Sequence, residues 1–425
     1  MSKNFAAYLM CTAAAAAIAA SVPAQAQNFN RDRNVSVRER PHPEFDQLGA
    51  PVGPFRGYAQ LPVGVTFTDN VFATGTNAES DMIYVIAPSV RLQSEFNEHE
   101  LNVFADIDYL GYTDFEDESR TNASIGADAR LDVRRDLTAN FNVSNGWFEE
   151  ARTNPNTPGG SAEPVEYNQS SFGAGLSHEL SRVRLSGSAS LTSFDFDDAV
   201  DGIGAPIEQD DRDHDAFGYR FRADYAYSPS VSFFASAEYT DRDYDILSTG
   251  PGGPVSRESH GTSLFVGADF DVTRLARGVV AVGTLNEQFA DPNTADEDGL
   301  AASATVEWFP TELATIEFTA SRSISPAGVP GASGAVTTAY GARADYEVLR
   351  NLIVSGVLSR REDEFTGAVD RTDEDMTLGV EATYLVNRNV GLSFNVSRLD
   401  RSSSGVNSGT EFDENRIGAS LVLRY

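Results

Sequence analysis

Apolar residues recur at every second position through most of this chain. The stretch LNVFADIDY sets Leu101, Val103, Ala105, Ile107 and Tyr109 on one face and Asn102, Asp106 and Asp108 on the other. SIGADARLDV sets Ile125, Ala127, Ala129, Leu131 and Val133 against Ser124, Asp128, Arg130 and Asp132. FGYRFRADYAY and MTLGVEATYLV repeat the pattern, and so do the last ten residues, RIGASLVLRY, through Ile417, Ala419, Leu421, Leu423 and Tyr425. A helix would scatter these residues around its surface, whereas an extended strand sorts them into two faces.

The breaks between strands alternate in kind. Short ones, such as RRD, SPS, PTE and NRN, take turns with longer ones that are acidic and rich in Gly and Pro, such as EARTNPNTPGGSAEPVE and DDAVDGIGAPIEQDDRD. Alternating turns and loops are the mark of up-and-down antiparallel strands. A propeller has a similar hairpin period but not this alternation. The strands read as 57–72, 82–94, 99–113, 120–133, 137–149, 166–180, 183–196, 214–227, 231–244, 259–272, 278–290, 297–309, 313–325, 334–348, 352–365, 371–386, 390–402 and 411–425. That is about eighteen strands, with sixteen as the alternative if one weak pair is misread; single-chain bacterial barrels have an even number.

The chemistry of the two faces indicates what surrounds them. The apolar face returns on nearly every strand, and no second layer or helix is available to cover it. Aromatic residues gather near strand ends: Tyr109, Trp147, Tyr225, Tyr227, Tyr239, Trp308, Tyr346, Tyr384 and Tyr425. Rings of this kind suit the headgroup level of a bilayer. The fold class is therefore all-β, a transmembrane up-and-down antiparallel β-barrel with its apolar face on lipid. Closure also removes the edges that so many strands would expose.

Composition sharpens the compartment. Residues 1–26 pair Lys3 with an apolar run and an Ala-Gln-Ala ending, which reads as a secretory signal peptide. Cys11, the only cysteine, falls inside that run, so no disulfide or thiol chemistry is expected beyond it. Residues 27–56 read as an irregular Arg- and Pro-rich periplasmic segment, and 57–425 as the barrel. No later run of about 18 apolar residues offers a transmembrane helix. The chain carries 63 acidic and 32 basic residues, a net charge of −31, which argues against nucleic acid as a partner. The expected location is the outer membrane of a Gram-negative bacterium.

With the apolar register outward, the lumen receives Asp106, Asp108, Asp128, Asp132, Asp224, Glu238, Asp269, Asp271, Glu307, Glu317, Asp345, Glu347 and Glu381. It also receives Arg130, Arg184, Arg220, Arg222, Arg242 and Arg343. Carboxylates outnumber arginines there, and such walls favour cations. Facing Arg and Asp side chains also pair across strands, which would merely keep the lumen wet and ordered. The Arg-rich lead-in either folds back into this acidic lumen or hangs free below it.

The acidic loops lack EF-hand spacing, and no metal or cofactor site is expected. His214 lies between Asp213 and Asp215, and His260 beside Ser259, but no nucleophile elbow or metal-ligand cluster accompanies them, so no enzyme is expected. The expected function is a porin-like, net-acidic pore for hydrophilic solutes. The alternative at this point is a non-conducting structural or adhesive barrel. Expected partners are outer-membrane lipid, lipopolysaccharide and the barrel-assembly machinery. Oligomeric state is not legible. Tyr425, an aromatic ending on an alternating strand, resembles the signal by which such barrels are recognised for assembly.

Three stretches resemble one family. RPHPEFDQLG (40–49), GVTFTDNVFAT (64–74) and ESDMIYVIAPSVRLQSEFNEHELNVFADIDY (79–109) are similar to the putative β-barrel porins of alphaproteobacterial outer membranes. The points of contact are the Arg-Pro-x-Pro-Glu-Phe-Asp lead-in, Asp69-Asn70-Val71-Phe72, Ser80-Asp81, Pro88 and His99. The resemblance implies a barrel over the rest of the chain and a surface-polysaccharide context, hence a second alternative, an outer-membrane component of exopolysaccharide export with polysaccharide-export components as partners; it carries no catalytic or ligand residue with it.

Overall fold

The structure is a computed structural model that describes residues 29, 34–158, 160–250, 253–272 and 275–425. The expected signal segment, with Cys11, lies outside the described residues. The chain forms a closed antiparallel barrel of 18 strands. They are β1 (Phe55–Thr68), β2 (Asp81–Ile86 continuing as Ser89–Ser94), β3 (Glu100–Tyr112), β4 (Arg120–Arg134), β5 (Leu137–Glu149) and β6 (Glu166–Leu180). Next come β7 (Val183–Phe196), β8 (His214–Ser228), β9 (Val231–Tyr244), β10 (Ser259–Val272), β11 (Ala276–Phe289) and β12 (Glu297–Thr311). The circuit ends with β13 (Ala314–Ser325), β14 (Ala332–Leu349), β15 (Leu352–Gly367), β16 (Thr372–Leu385), β17 (Val390–Ser404) and β18 (Phe412–Arg424).

Each strand pairs with the next, and β18 returns to β1 through Leu61↔Leu423, Val63↔Leu421, Val65↔Ala419 and Phe67↔Ile417. The Tyr425 and Ala59 backbones exchange two hydrogen bonds, of 2.9 and 3.0 Å, at the seam. The ending RIGASLVLRY is thus a closing strand, with its apolar parity outward.

Inside β2, Pro88 interrupts the hydrogen bonds without shifting the pairing. Val63↔Ile86 above it and Gln60↔Ser89 below it belong to one register. Proline lacks an N–H, so the ladder breaks there and resumes.

The first strand differs from its expected bounds at both ends. It starts at Phe55, because Ala50–Val52 folds back on Phe55–Gly57 through a turn at Gly53 (φ 61°), a left-handed conformation that suits glycine. It stops at Thr68, because Asp69 and Asn70 turn the chain. Asp69 accepts from the backbone and side chain of Asn415, each at 2.7 Å, and Asn70 donates to Asp413 O (2.8 Å) and Thr74 O (2.9 Å). Val71 then packs with Ile83 and Tyr112. The Asp-Asn-Val-Phe element therefore clamps the loop end of the β1–β18 seam.

Large apolar side chains stand exposed around the whole circumference, among them Ile125, Val143, Phe172, Phe221, Val266, Val282 and Leu378. Buried apolar clusters are small and lie at loop ends. A soluble protein hides such side chains, so the solvent for this face is lipid. Most strands run 12–18 residues, longer than the roughly 9–11 needed to cross a bilayer, so their ends project beyond it. The nine expected aromatics all point outward and are exposed. Tyr109 and Trp147 lie toward the loop ends of their strands; Tyr225, Tyr227, Trp308, Tyr346, Tyr384 and Tyr425 lie toward the turn ends.

Candidate functional site: the barrel interior

Register identifies the inner face. On β3, Asp106 and Asp108 alternate with the outward Ala105, Ile107 and Tyr109; across the ladder they meet Ser124 and Asn122 of β4, on the same parity as Asp128, Arg130 and Asp132. Arg220, Arg222 and Asp224 of β8 face Glu238, Ser236 and Phe234 of β9. Asp269 and Asp271 of β10, Glu307 of β12, Glu317 of β13, Arg343, Asp345 and Glu347 of β14, and Glu381 of β16 continue this parity around the barrel. Chain segments inside the wall touch this face, which marks it as the interior: Asn34 reaches Asp271, and Val37 reaches Thr315.

The charges are largely paired. Arg130 meets Glu100 at 3.0 Å and Asp132 at 3.4 Å. Arg220 meets Glu238 at 2.8 Å. Asp224, fully buried, takes both Arg222 at 2.6 Å and Arg184 at 3.4 Å. Arg343 bridges Asp345 at 3.0 Å and Glu381 at 2.5 Å, and Arg242 meets Glu287 at 2.5 Å. Buried charges need such partners. Asp106, Asp108 and Asp128 make no ion pair with any described residue, and one buried oxygen of Asp108 has no hydrogen-bond partner. The wall is therefore an Arg–carboxylate lattice in which these three carboxylates have no ion-pair partner among the described residues.

Between the charged ends, much of the inner face is small and neutral. Asn142 and Ser144 of β5 face Gly173 and Ser171 of β6, and Gly175 faces Ser188 of β7. Gly379 of β16 faces Ser397 of β17, and Asn395 faces Gly418 of β18. Such a wall offers hydroxyls, amides and bare backbone, and little bulk. Barrels of about 16–18 strands are wide enough to leave an aqueous channel.

The loop end of the interior carries a cap that sequence reading missed. Loop 150–165, between β5 and β6, reaches across the mouth. Asn156 accepts from Gly328 N at 2.9 Å, and Pro155 O accepts from Arg371 at 3.5 Å. Those partners sit in the β13–β14 and β15–β16 loops on the far wall. Two buried arginines anchor the cap. Arg212 pairs with Glu150 and stacks 4.0 Å over the Phe196 ring. Arg257 donates to Asp211 O (2.9 Å), Val329 O (3.3 Å) and Ala332 O (3.3 Å), tying three loops together. Burial pushes its guanidinium below the ordinary value, against the pull of Asp211. Beneath the cap, Phe148, Tyr167, Phe196, Phe194, His214 and Tyr244 form a continuous inward row with ring centroids 4.6–6.4 Å apart. The available signal was aromatic residues on the polar parity at these strand ends.

His214 and His260 point to opposite faces of the wall. His214 points inward between Phe194 and Tyr244, and its Nδ1 meets Arg212 O at 2.7 Å. Asp213 instead accepts from Phe196 N at 2.7 Å. His260 pairs outward with Asp241 at 2.6 Å. No cluster of His, Cys, Asp and Glu fit to hold a metal occurs among the described residues.

Solved structures with similar shape include the outer membrane protein OpdK of Pseudomonas aeruginosa (11% identity, TM-score 0.45, covering 87% of this chain and 99% of that one). They also include OccK2 (OpdF) of the same organism in complex with glucuronate (12%, TM-score 0.46, 87% and 98%) and a BenF-like porin of Pseudomonas fluorescens Pf-5 (13%, TM-score 0.44, 87% and 99%). A comparison with curated proteins finds no match. The family model described as "Putative beta-barrel porin 2" matches residues 42–425, so this outer-membrane barrel belongs to that family.

Proposed function

We propose that the chain forms a polar, net-acidic pore that passes hydrophilic solutes across the outer membrane. The observation that carries the reading is the inward lattice in which carboxylates exceed arginines. Asp106, Asp108 and Asp128 make no ion pair; Arg91 of β2 offsets part of the charge of Asp106 and Asp128, and the remainder leaves a negative field on the β3–β4 wall, which favours cations. The small neutral stretches keep the waist wet without binding a solute tightly. Passage requires no bond to break, and the reading assigns no catalytic residue. Residues 1–26 act as a cleaved signal in this account, and Tyr425 as part of the assembly signal. Planar-bilayer recording of the refolded protein tests the pore itself. Discrete unit steps are expected, and a protein that inserts yet never conducts would remove the reading.

A further inference from the structure

The lead-in segment does not hang below the barrel. From Asn34 to Gln47 it crosses the turn-side mouth, touching inner-face residues on strands half a circumference apart. Asn34 donates to Asp271 of β10 at 2.5 Å and accepts from Arg277 of β11 at 2.9 Å. Val37 is fully buried and donates its N–H to Thr315 of β13 at 3.0 Å. Glu39 pairs with Arg277 at 2.5 Å, and Arg40 with Glu347 of β14 at 2.8 Å. Pro43 O accepts from Arg388 in the β16–β17 turn at 2.8 Å, and Gln47 donates to Ala59 O of β1 at 3.0 Å. Phe29, ahead of the segment and buried, lies under the Arg184 guanidinium of β7 at 4.7 Å.

The segment is also folded in itself. His42 N donates to Asp46 at 2.7 Å, and Phe45 N to His42 O at 2.7 Å, so the Arg-Pro-x-Pro-Glu-Phe-Asp stretch is a capped turn. Arg38 sits half-buried among Glu317, Arg343, Asp345 and Glu381. Burial lowers its guanidinium first and Arg343 next, while the three carboxylates hold it up. Charge complementarity thus sets both arginines against an acidic arc of the mouth, Glu317, Asp345, Glu347 and Glu381.

We infer that residues 34–47 form a resident constriction of the turn-side mouth, in which Arg38 and Arg40 screen Glu317, Asp345, Glu347 and Glu381 from passing ions. This rests on the pore reading for its consequence but not for its geometry, and the test separates the two. The geometry is tested by a disulfide between Val37→Cys and Thr315→Cys in a Cys11→Ser background, oxidised in isolated outer membranes. A reducible gel shift is expected; its absence in correctly inserted protein overturns the inference. The consequence is tested in planar bilayers. The variant lacking 34–47 should show a several-fold larger unit conductance. Arg38→Gln/Arg40→Gln should shift the reversal potential further toward the cation limit, since two positive charges leave an acidic arc. Equal conductance with and without the segment overturns the constriction. If the disulfide forms but no variant conducts, the pore reading fails while the seated segment stands.

Discussion

Arg212→Met should open the loop-end cap while leaving the barrel intact. Arg212 and Glu150 are 6% and 4% exposed as side chains, so this ion pair is desolvated. Removing one partner of such a pair costs about 3–5 kcal/mol, because the other charge stays buried and unpaired. Gln209, whose amide oxygen accepts from Arg212 at 2.9 Å, loses a donor as well. The barrel ladder cannot relax to hydrate Glu150, but loop 150–165 can. Its links to the far wall are the Asn156–Gly328 bond and the longer Arg371–Pro155 contact. The strain therefore appears as local opening, the weakest cooperative unit yielding first. At about 1.4 kcal/mol per decade, the open population rises by roughly two to four orders of magnitude, or until the cap stays open. Trypsin cleavage after Arg152, now held by Glu118 at 2.6 Å, reads this directly in isolated outer membranes. Heat-modifiable mobility confirms that the barrel persists. Arg212→Met/Glu150→Leu should restore protection, since an apolar pair of similar volume replaces a buried ion pair at little cost. Cleavage of the single variant at the wild-type rate would refute the latch.

Other consequences follow from the same geometry. Burial, then the neighbouring Asp195, Asp210 and Asp245, pushes the Asp213 carboxyl up to about 6, although the Phe196 N–H pulls it down. Its folded-state pKa is raised, so its contribution to loop stability is full below the ordinary carboxylate pKa of about 3.9 and is lost as pH rises through about 6. Hydrogen exchange of residues 197–213, corrected for the intrinsic pH dependence of amide exchange, should therefore lose protection between about pH 4 and about pH 6; Asp213→Asn should flatten the profile, and an unchanged profile would contradict it. Leu264→Arg, on the outward face of β10, should cost about 2–4 kcal/mol of barrel stability at mid-membrane depth. Urea titration in lipid vesicles measures it, and a neutral effect would place that face away from lipid. Ile83→Ala, at a fully buried position against Val71 and Tyr112, should cost about 2–5 kcal/mol and loosen the β1–β2 loop, read by protease access to residues 69–80. Deleting Tyr425 removes two seam hydrogen bonds to Ala59 and should lower the heat-modifiable fraction in the outer membrane. Normal levels of the truncated protein would end that role.

The strands were legible because a membrane barrel writes its two solvents into alternate residues. The period-2 pattern at 101–109 or 217–227 needs no long-range information, and the inner parity of Asp106, Arg222 and Glu381 follows from it. What could not be read depends on contacts distant in sequence. The segment carrying Arg38 and Arg40 read more readily as a free periplasmic tail than as a seated one, since the deciding partners, Thr315 of Val37 and Glu347 of Arg40, lie on β13 and β14. The cap was opaque for the same reason: Asn156 and Gly328 are ordinary loop residues until the barrel closes and sets them face to face. His214 looked like a rim residue with acidic neighbours. Its parity is that of Arg220 and Arg222, which sends the ring inward to stack rather than outward to titrate.

The central claim is a net-acidic conducting interior, and ion selectivity addresses it most directly. Refolded protein in a planar bilayer under a potassium chloride gradient should give a reversal potential on the cation side. Neutralising the unpaired arc with Asp106→Asn/Asp108→Asn/Asp128→Asn should move that potential toward zero. An anion-selective reversal potential, or one unmoved by the triple substitution, would contradict the account.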